Sequence, residues 1–549
     1  MSEFSPQPWP VAALTPVPVE GLAHTVGTVQ AISGAQARLV LDGIALAACG
    51  GSADPAIAMA GQVGSAIRIA APDGAWLLAS LRDLEQAADG SVCAIADLLG
   101  EGIDDAAGGT FRRGVTRYPL PGSTVHPVAT AQLARIYDPA GRVAITVGTV
   151  HPTATVGAGL FIDALLGKHF ALLGSTGTGK STAAALILHR ICDAAPHGHV
   201  VMVDPHGEYG AAFQDRGMVL DVGNLQLPYW LMNFAEHCEV FLTTTGNDRQ
   251  EDADILARCL LAARGKNRLA AEIGRITVDS PVPYLLSDLL RLVNDEMGQL
   301  DKASSSAPFL RIRSKIDELK GDPRYQFMFS GMLVADTMAE LIARLFRMDG
   351  AGRPITIIDV SGVPSDITAT VVAVLSRMVF DHAIWSRGEA VRPILLVCEE
   401  AHRYVPGDRQ SGGSSVSDVL GRIAKEGRKY GIALGLITQR PSDLAEGVLS
   451  QCGTIIAMRL NNERDQAFVR SAMPEGARGF LDAIPALRNR EAIICGEGVA
   501  VPMRVSFADL EEHRRPASAD PLFSALWQHP AEGGQAIART VRRWRAQGR

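Results

Sequence analysis

The sequence predicts an α/β protein in which a small β-barrel precedes a doubly wound domain with a buried parallel sheet. After residue 151, short apolar runs rich in β-branched residues alternate with helical segments, a pattern typical of parallel strands covered by helices. Before residue 110, short β-rich runs are separated by Gly, Asp and Pro, which is typical of a barrel. A glycine-rich loop between a strand-like run and a helix-like run lies early in the second pattern.

The barrel and its connector are predicted over residues 21–150, after a segment, 1–20, that we expect to be flexible. The strand-like runs are 24–32, 36–41, 65–71, 76–81, 91–98 and 142–150. Residues 111–122 (FRRGVTRYPLPG) mix basic, aromatic and turn residues, and we interpret them as the last loops of the barrel and a connector. The first residues lack the basic and apolar regions of a signal peptide.

The doubly wound core is predicted in two parts, 151–234 and 350–515. Its strand-like runs are 200–204, 355–360, 394–400, 432–439 and 454–460, and a strand-like pair follows at 491–496 and 499–507. Residues 235–349 lack a comparable run and show helical apolar spacing, so we expect a helical insertion there. The helical segments within it are 252–264, 285–297 and 335–347.

The C-terminal extension is predicted over residues 516–549 and ends in a basic segment. Arg542, Arg543 and Arg545 flank Trp544 there. Such a segment can bind nucleic acid, a neighbouring subunit or a partner protein, and an exposed basic tail is the alternative.

Composition favours a cytoplasmic protein of several domains. The chain has 549 residues, of which 47% are hydrophobic and 20% charged, enough for about two to four domains. The eight cysteines contain no C-x-x-C pair, so we expect reduced thiols and no structural zinc. No uninterrupted run of apolar residues reaches the length of a membrane span, and we expect no membrane insertion. The net charge of −7 leaves room for a local basic channel.

The glycine-rich loop satisfies the P-loop pattern G-x-x-x-x-G-K-[ST]. The predicted nucleotide-binding residues are Gly174, Ser175, Thr176, Gly177, Thr178, Gly179, Lys180, Ser181 and Thr182. In such a loop the backbone N–H groups and the helix N-terminus face phosphate oxygens. Lys180 is expected to reach the β- and γ-phosphates, and Ser181 to ligate Mg²⁺. The sequence therefore predicts binding of ATP or GTP.

Two acidic residues follow the apolar run 394–398, where hydrolysis would need them. We assign Glu399 to Mg²⁺ and its waters, and Glu400 to the attacking water. A surface acidic pair that caps the next helix is the alternative interpretation.

A polar element follows the run 432–438. Gln439 can sense the γ-phosphate or orient water, and Arg440 can neutralise charge in its own or an adjacent subunit. A simple turn before Pro441 is the alternative. The stretch 203–209 (VDPHGEY) places two acids near the same edge, and His206 and His402 are either site residues or ordinary turn histidines.

Five segments together resemble the HerA branch of the HerA/FtsK ATPases. They are GSTGTGKS at 174–181, DPHGEY at 204–209, CEEAHRY at 398–404, AKEGRKYGI at 424–432 and TQRPSDL at 438–444. The barrel-like region, the helical insertion and the C-terminal extension also fit the layout of that family. The resemblance covers most of the chain.

The resemblance implies a RecA-like P-loop NTPase core that assembles as a homo-hexamer, hydrolyses ATP with Mg²⁺ and moves along double-stranded DNA. It also implies a separate nuclease or sirtuin-like effector, in DNA end processing or anti-phage defence. Lys180, Ser181, Glu399, Glu400 and Gln439 match the family's motifs. Three candidates remain for the arginine that acts across the subunit interface. They are Arg440, Arg459 and, as a departure from arginine, Lys168.

DNA-contacting residues have weaker support in the sequence. Three basic segments, 264–268, 311–315 and 425–429, could meet phosphates if they line a pore, and a solvated surface is the alternative for each.

Three other functions keep the same core: a nucleotide-gated ring scaffold that activates an effector with little translocation, a secretion-type motor docked at a membrane, and a protein-remodelling ATPase. DNA-stimulated turnover would distinguish the translocase from the scaffold.

Overall fold

The computed structural model of the chain describes residues 25–71, 74–88, 91–104, 109–299, 305–330, 333–348, 350, 352–407, 415–473, 478–517, 523–529 and 533–546. Two compact units are formed. The first combines Met1–Phe161 with Met473–Phe507, and the second combines Ile162–Ala472 with Ala508–Arg549. The sequence-based boundaries had kept residues up to 515 with the core. The predicted segment 1–20 lies outside the described residues.

The strands are, in chain order, β1 (Gly27–Ser33), β2 (Gln36–Leu41), β3 (Ala66–Ala70), β4 (Ala75–Gln86), β5 (Val92–Ile103), β6 (Thr110–Arg113), β7 (Thr124–Pro127), β8 (Ala144–Val150), β9 (Gly157–Phe161), β10 (Phe170–Leu173), β11 (His199–Asp204), β12 (Gly217–Leu220), β13 (Ile355–Asp359), β14 (Ile394–Glu399), β15 (Ile432–Thr438), β16 (Thr454–Met458), β17 (Glu491–Gly496) and β18 (Met503–Phe507).

The α-helices are, in chain order, α1 (Gly43–Cys49), α2 (Pro55–Ala58), α3 (Thr130–Ile136), α4 (Ile162–Gly167), α5 (Lys180–Ala194), α6 (Phe234–Phe241), α7 (Gly246–Gly265), α8 (Arg268–Ile273), α9 (Leu286–Gly298), α10 (Ala307–Gly321), α11 (Gln326–Phe329), α12 (Met338–Leu345), α13 (Ser365–Trp385), α14 (Ser415–Glu426), α15 (Glu446–Leu449), α16 (Glu463–Ala472), α17 (Arg478–Leu481), α18 (Phe523–Leu526) and α19 (Gly534–Ala546).

The first unit contains a closed six-stranded antiparallel barrel, as predicted. Its strands follow the ring order β1-β7-β3-β4-β5-β2, and β6 extends the sheet beyond β5. Buried side chains such as Leu39, Ile67 and Leu77 fill the interior. The interpretation of 111–122 as loops is corrected in part, because β6 begins at Thr110 and includes Phe111–Arg113. The four-residue strand β7 was not predicted. It closes the ring by pairing with β1 and β3.

The first unit also contains an antiparallel sheet with the order β17-β18-β8-β9. Two of its strands, β8 and β9, come from the first chain segment of the unit, and β17 and β18 come from the second. Two further bonds link these segments: the Arg113 guanidinium donates to the Gly496 carbonyl at 2.5 Å, and the Tyr137 hydroxyl donates to the Pro502 carbonyl at 3.3 Å. These contacts explain why residues 473–507 belong to the same unit as the barrel.

The second unit is built on a parallel sheet with the order β12-β13-β11-β14-β15-β10-β16. Every residue of β10, β14, β15 and β16 is buried, which explains their continuous apolar sequences. Because all strands are parallel, their carboxyl ends meet at one edge, where the loops after β10, β11, β14 and β15 begin. The strand β12 was not predicted. The α/β core is therefore confirmed.

In the part of the chain between β12 and β13 that the structure describes, seven α-helices, α6–α12, form the predicted helical insertion. A buried arginine organises its first part. The Arg264 guanidinium donates to the backbone carbonyls of Trp230, Met232, Val278 and Ser280, the first three at 3.2, 2.8 and 2.7 Å. Because the side chain is 0% exposed, Arg264 cannot be the DNA contact that the basic segment 264–268 suggested. Burial lowers its pKa.

The helix α13 is long and apolar enough to cross a membrane, by length and composition alone. An 18-residue window in it has a mean hydropathy of 1.5, and 61% of that window is buried within the protein. It is the one such helix among the described residues. The apolar composition therefore fits a core helix, which packs against α14 and α6.

Candidate nucleotide-binding site

The predicted P-loop connects β10 to α5, which begins at Lys180. Gly177 and Gly179 have φ angles of 78° and 93°, a left-handed conformation that glycine adopts without strain. Two hydrogen bonds hold the loop. The Ser175 N–H donates to the Arg459 carbonyl at 2.9 Å, and the Thr178 hydroxyl donates to the Ser175 carbonyl at 2.8 Å. The loop is thus shaped before any ligand arrives.

The two acids that the sequence selected lie beside this loop. Glu399 ends β14, Glu400 follows it, and β15 separates β14 from the P-loop strand β10 in the sheet. The Lys180 ammonium lies 3.8 Å from Glu400 Oε1, and both side chains are less than a tenth exposed. The alternative of a surface acidic pair is wrong, because both carboxylates are buried.

Glu399 is held by a tyrosine that the sequence analysis did not assign. The Tyr209 hydroxyl donates to Glu399 Oε1 at 3.0 Å. Burial and the Glu399 charge raise the pKa of Tyr209, and the neighbouring Ser181 side chain opposes that shift. Among the described residues, no group hydrogen-bonds with Glu399 Oε2, although this atom is buried. Burial, reinforced by the charge of Asp204 and opposed by Lys180, raises the pKa of Glu399 to about 8. The site therefore holds a buried acceptor atom, Glu399 Oε2, with an unused lone pair.

Asp204 shapes the loop that delivers Tyr209. Its carboxylate accepts backbone N–H bonds from His206, Gly207 and Tyr209 at 3.1, 2.9 and 2.9 Å. Burial raises the pKa of Asp204, and these three bonds oppose that shift. These contacts explain the residues of the stretch DPHGEY: Asp204 stabilises the turn, and the turn places the Tyr209 hydroxyl within hydrogen-bond distance of Glu399.

Both histidines that the sequence left open lie near Glu400. His402 Nδ1 is 3.2 Å from Glu400 Oε2, and His206 Nε2 is 3.9 Å from Glu400 Oε1. Glu400 itself has a φ of 50°, which is unusual for a residue with a side chain and costs about 1 kcal/mol. The backbone turn after β14 is therefore what directs this carboxylate and His402 to the same place.

The element after β15 closes the other side of the loop. The Thr176 hydroxyl donates to Gln439 Oε1, so the predicted sensor amide contacts the P-loop directly. Arg440 is mostly exposed and lies 3.7 Å from Asp443. These residues line an open cavity of about 420 Å³. Asn462 and Arg464 also line it, and neither was predicted from the sequence. The rule that polar residues follow parallel strands could have found both, because they come shortly after β16.

The other two candidates for the interface cation, Arg459 and Lys168, lie at opposite ends of the parallel strands. The Arg459 carbonyl accepts the bond from the Ser175 N–H, so this residue borders the P-loop. Lys168 precedes β10, and its carbonyl accepts a bond from the Gly453 N–H at 2.6 Å. Lys168 thus lies at the amino end of the strand whose carboxyl end carries the P-loop.

Of the remaining basic segments, residues 311–315 are largely engaged within the insertion. The Arg311 guanidinium donates to the buried Asp252 carboxylate at 2.6 Å, and Lys315 pairs with Glu318 at 2.8 Å. Lys425, Arg428 and Lys429 are exposed at the end of α14 and beyond it. These three side chains therefore remain candidates for contact with a phosphate backbone.

No group of three or more His, Cys, Asp or Glu residues with metal-binding geometry occurs among the described residues. All eight cysteines are described, and none forms a disulfide.

The parallel sheet, the P-loop and the acids beside it define a P-loop NTPase with an α/β core of the RecA type. Residues 145–379 match the family model described as Helicase HerA, central domain. The match includes the P-loop and covers less than half of the chain, so over this region the chain is similar to the HerA helicases.

Curated relatives extend the similarity beyond the central domain. A protein of Pyrococcus furiosus named DNA double-strand break repair helicase HerA is 27% identical over 437 residues, which cover 72% of this chain and 74% of that protein. A protein of the same name from Sulfolobus acidocaldarius is 24% identical over 426 residues, covering 75% of this chain and 78% of that protein.

Solved structures that match part of this chain include VirB4 of Thermoanaerobacter pseudethanolicus, with a TM-score of 0.48 and 15% identity, covering 68% of this chain and 99% of that one. The plasmid coupling protein TrwB in complex with the ATP analogue ADPNP has a TM-score of 0.46 and 16% identity, covering 72% of this chain and 94% of that one.

Proposed function

We propose that this protein is a cytoplasmic, hexameric ATPase that uses Mg²⁺-ATP to move along double-stranded DNA and serves a separate nuclease or effector. The observation that carries the proposal is the contact between the P-loop and the end of β14, where Lys180 lies 3.8 Å from Glu400 Oε1 and the Tyr209 hydroxyl holds Glu399. The names of the curated relatives, which describe DNA repair helicases, support DNA as the track.

Each residue of the site has a role in this proposal. Residues 174–182 bind the phosphates through backbone N–H groups, and Lys180 contacts the β- and γ-phosphates. Ser181 and Glu399 would hold Mg²⁺, which fits the unpartnered, buried Glu399 Oε2 atom. When bound, the metal neutralises charge on the phosphates. Glu400 orients the attacking water, and Gln439 responds to the γ-phosphate from its position on Thr176.

The cation that acts from the neighbouring subunit remains one of three residues in this proposal. Arg440 and Arg459 lie at the P-loop edge of the sheet, whereas Lys168 lies at the opposite edge. A residue that completes a neighbour's site has no required position relative to its own P-loop, so all three are to be tested by substitution in mixed rings.

The test is the ATPase rate of the purified chain with and without linear duplex DNA, with the mass of the assembly recorded in the same samples. A six-subunit ring whose turnover rises with DNA would support the translocase. Turnover that ignores DNA would favour the ring scaffold, in which nucleotide binding activates the effector.

The proposed role of Glu400 in orienting the attacking water can be tested separately. Glu400→Gln keeps the size of the side chain but removes its charge, so we expect ATP to bind while hydrolysis falls by about 100-fold or more. The checks are single-turnover hydrolysis and binding of labelled ATP. Turnover at the wild-type rate in this variant would exclude Glu400 as the activating group.

A further inference from the structure

His402 connects the proposed water-activating carboxylate to the neighbouring strand. The turn after β14 returns the chain on itself, with the Arg403 N–H donating to the Glu400 carbonyl at 2.8 Å. This turn places His402 Nδ1 3.2 Å from Glu400 Oε2. The same nitrogen lies 2.9 Å from the hydroxyl oxygen of Thr438, the last residue of β15. One imidazole thus spans the ends of β14 and β15.

Thr438 is fixed at the point where the sensor element begins. It is fully buried, and its hydroxyl oxygen accepts a bond from the Arg440 N–H at 3.1 Å. The residue between them, Gln439, is bound by Thr176 of the P-loop. A chain of short contacts therefore runs from Glu400 through His402 and Thr438 to the residues that face the nucleotide.

The surroundings select the tautomer of His402. If Nδ1 carried a lone pair, that lone pair would face the Glu400 carboxylate at 3.2 Å, which is repulsive. With hydrogen on Nδ1, the ring can donate to Thr438 or to Glu400. Burial lowers the pKa of His402, and the facing charges are Glu400, Arg403, Asp443 and Arg440. The ring is thus a neutral donor rather than a cation.

The two oxygens of Glu400 have different neighbours. Oε2 faces His402 at 3.2 Å, whereas Oε1 faces the Lys180 ammonium at 3.8 Å and His206 at 3.9 Å. Lys180 is the group that phosphates would attract. A ligand in the P-loop would therefore leave Oε1 without its cation while Oε2 keeps the imidazole.

We propose that His402 is a positioning residue for hydrolysis: its ring, hydrogen-bonded to Thr438 through Nδ1, lies 3.2 Å from Glu400 Oε2 and limits how this carboxylate can turn, so that Oε1 is presented to the attacking water once Lys180 has turned to the phosphates. This inference rests on the proposed ATPase function and assigns to His402 no contact with the nucleotide. It predicts that loss of His402 impairs the hydrolytic step and spares nucleotide binding.

The experiment compares His402→Ala, His402→Asn and Glu400→Gln in the full-length protein. For His402→Ala we expect a fall in kcat of about 10- to 100-fold, the range for residues that orient a reacting group. KM and the affinity for a non-hydrolysable ATP analogue should stay within about twofold. His402→Asn, whose amide can still donate, should recover part of kcat. His206→Ala removes a ring beyond hydrogen-bond distance and should lower kcat by a smaller factor.

A double variant separates positioning from a general structural effect. If His402 acts through Glu400, His402→Ala should cause no further loss in the Glu400→Gln background, because the group that it positions is already lost. An equal loss in both backgrounds would overturn the inference, as would a wild-type kcat in His402→Ala. If His402→Ala does not fold, Thr438→Val removes the other end of the connection and is expected to show the same loss of kcat with unchanged analogue affinity.

The two proposals fail in distinguishable ways. Wild-type kcat in His402→Ala together with lost hydrolysis in Glu400→Gln would overturn the positioning role and leave the ATPase assignment intact. Wild-type hydrolysis in Glu400→Gln would overturn both, since no carboxylate would then remain for His402 to position.

Discussion

The second unit contains two groups of buried charges that differ in how well their polar atoms are satisfied. In and beside the insertion, Arg264 donates to four backbone carbonyls, and the guanidinium of Arg377 on α13 meets both oxygens of the buried Glu236 at 2.9 Å. Beside the P-loop, Glu399 and Glu400 each have one buried oxygen without a hydrogen bond from any described residue. In the first group, Arg264 Nε is the one buried side-chain atom without a hydrogen bond from the described residues, and both carboxylate oxygens of Glu236 are paired. In the second group, each carboxylate keeps an unpaired acceptor oxygen, which leaves capacity for a ligand.

This difference teaches how to separate structural from functional charges. Leaving a buried polar atom unpaired costs about 1–3 kcal/mol, so it persists only where something else requires it. The Glu236 carboxylate also closes a capping box by accepting the Asn233 N–H at 2.8 Å, which shows how a structural charge uses its remaining lone pairs. Removing a cation should therefore have opposite consequences in the two groups.

The largest effect is expected for Lys180→Ala, which tests the ligand-directed group. The ammonium has one carboxylate partner at 3.8 Å and is expected to contribute mainly to phosphate binding. We predict loss of ATP binding and a fall in turnover of about 1,000-fold, with the unfolding temperature within about 3 °C of wild type. Calorimetric binding and thermal unfolding check this. If Lys180→Ala still bound ATP but no longer folded, Lys180 would be a structural charge and not a ligand-directed one.

A smaller but still large effect is expected for Arg264→Met, which tests the first group. Four carbonyls lose their donor, those of the fully buried Trp230 and Met232 among them, and the free energy of unfolding should fall by about 3–5 kcal/mol. Arg268→Ala is the matched control, because its i,i+4 pair with Glu272 is exposed and should contribute less than about 1 kcal/mol. Denaturant unfolding measures both. Similar stability in the two variants would show that the Arg264 bonds contribute little.

The smallest effect is expected in the pH dependence of stability. The pKa of Glu399 is raised to about 8 in the folded chain, above its usual value in the unfolded chain. Between about pH 4.5 and pH 8 the unfolded state therefore binds fewer protons than the folded state, and stability falls as pH rises through this window. We expect Glu399→Gln to remove this dependence and to raise the unfolding temperature at pH 8 by about a few degrees. The measurement is thermal unfolding across pH without nucleotide. An unchanged pH profile in the variant would contradict the raised pKa.

Local patterns were enough to predict the parts of the site that one segment defines. The P-loop spacing gave residues 174–181, and the rule that catalytic acids follow buried strands gave Glu399 and Glu400. The barrel and the helical insertion were predicted from strand spacing and helical periodicity, respectively. Each of these features depends on residues that are close in sequence.

The features that the sequence did not predict depend on contacts between distant segments. The bond from Tyr209 to Glu399 requires β11 and β14 to be neighbours in register, with Val203 beside Cys398. The link from His402 to Thr438 likewise requires β14 and β15 to be paired. Arg264 looked like a surface cation because its four acceptors come from segments 14 to 34 residues away. Strand order and register determine these contacts, and neither can be predicted from one segment of the sequence.

The pairing of Lys180 with Glu400 has a consequence for which anions the loop accepts. An incoming anion must offer the lysine a stronger attraction than the buried carboxylate already provides at 3.8 Å. A singly charged anion gains little by this exchange, whereas a polyphosphate engages the backbone N–H groups as well as the ammonium. The loop is thereby selective for highly charged ligands: chloride or acetate should leave the ion pair intact, and a triphosphate should open it.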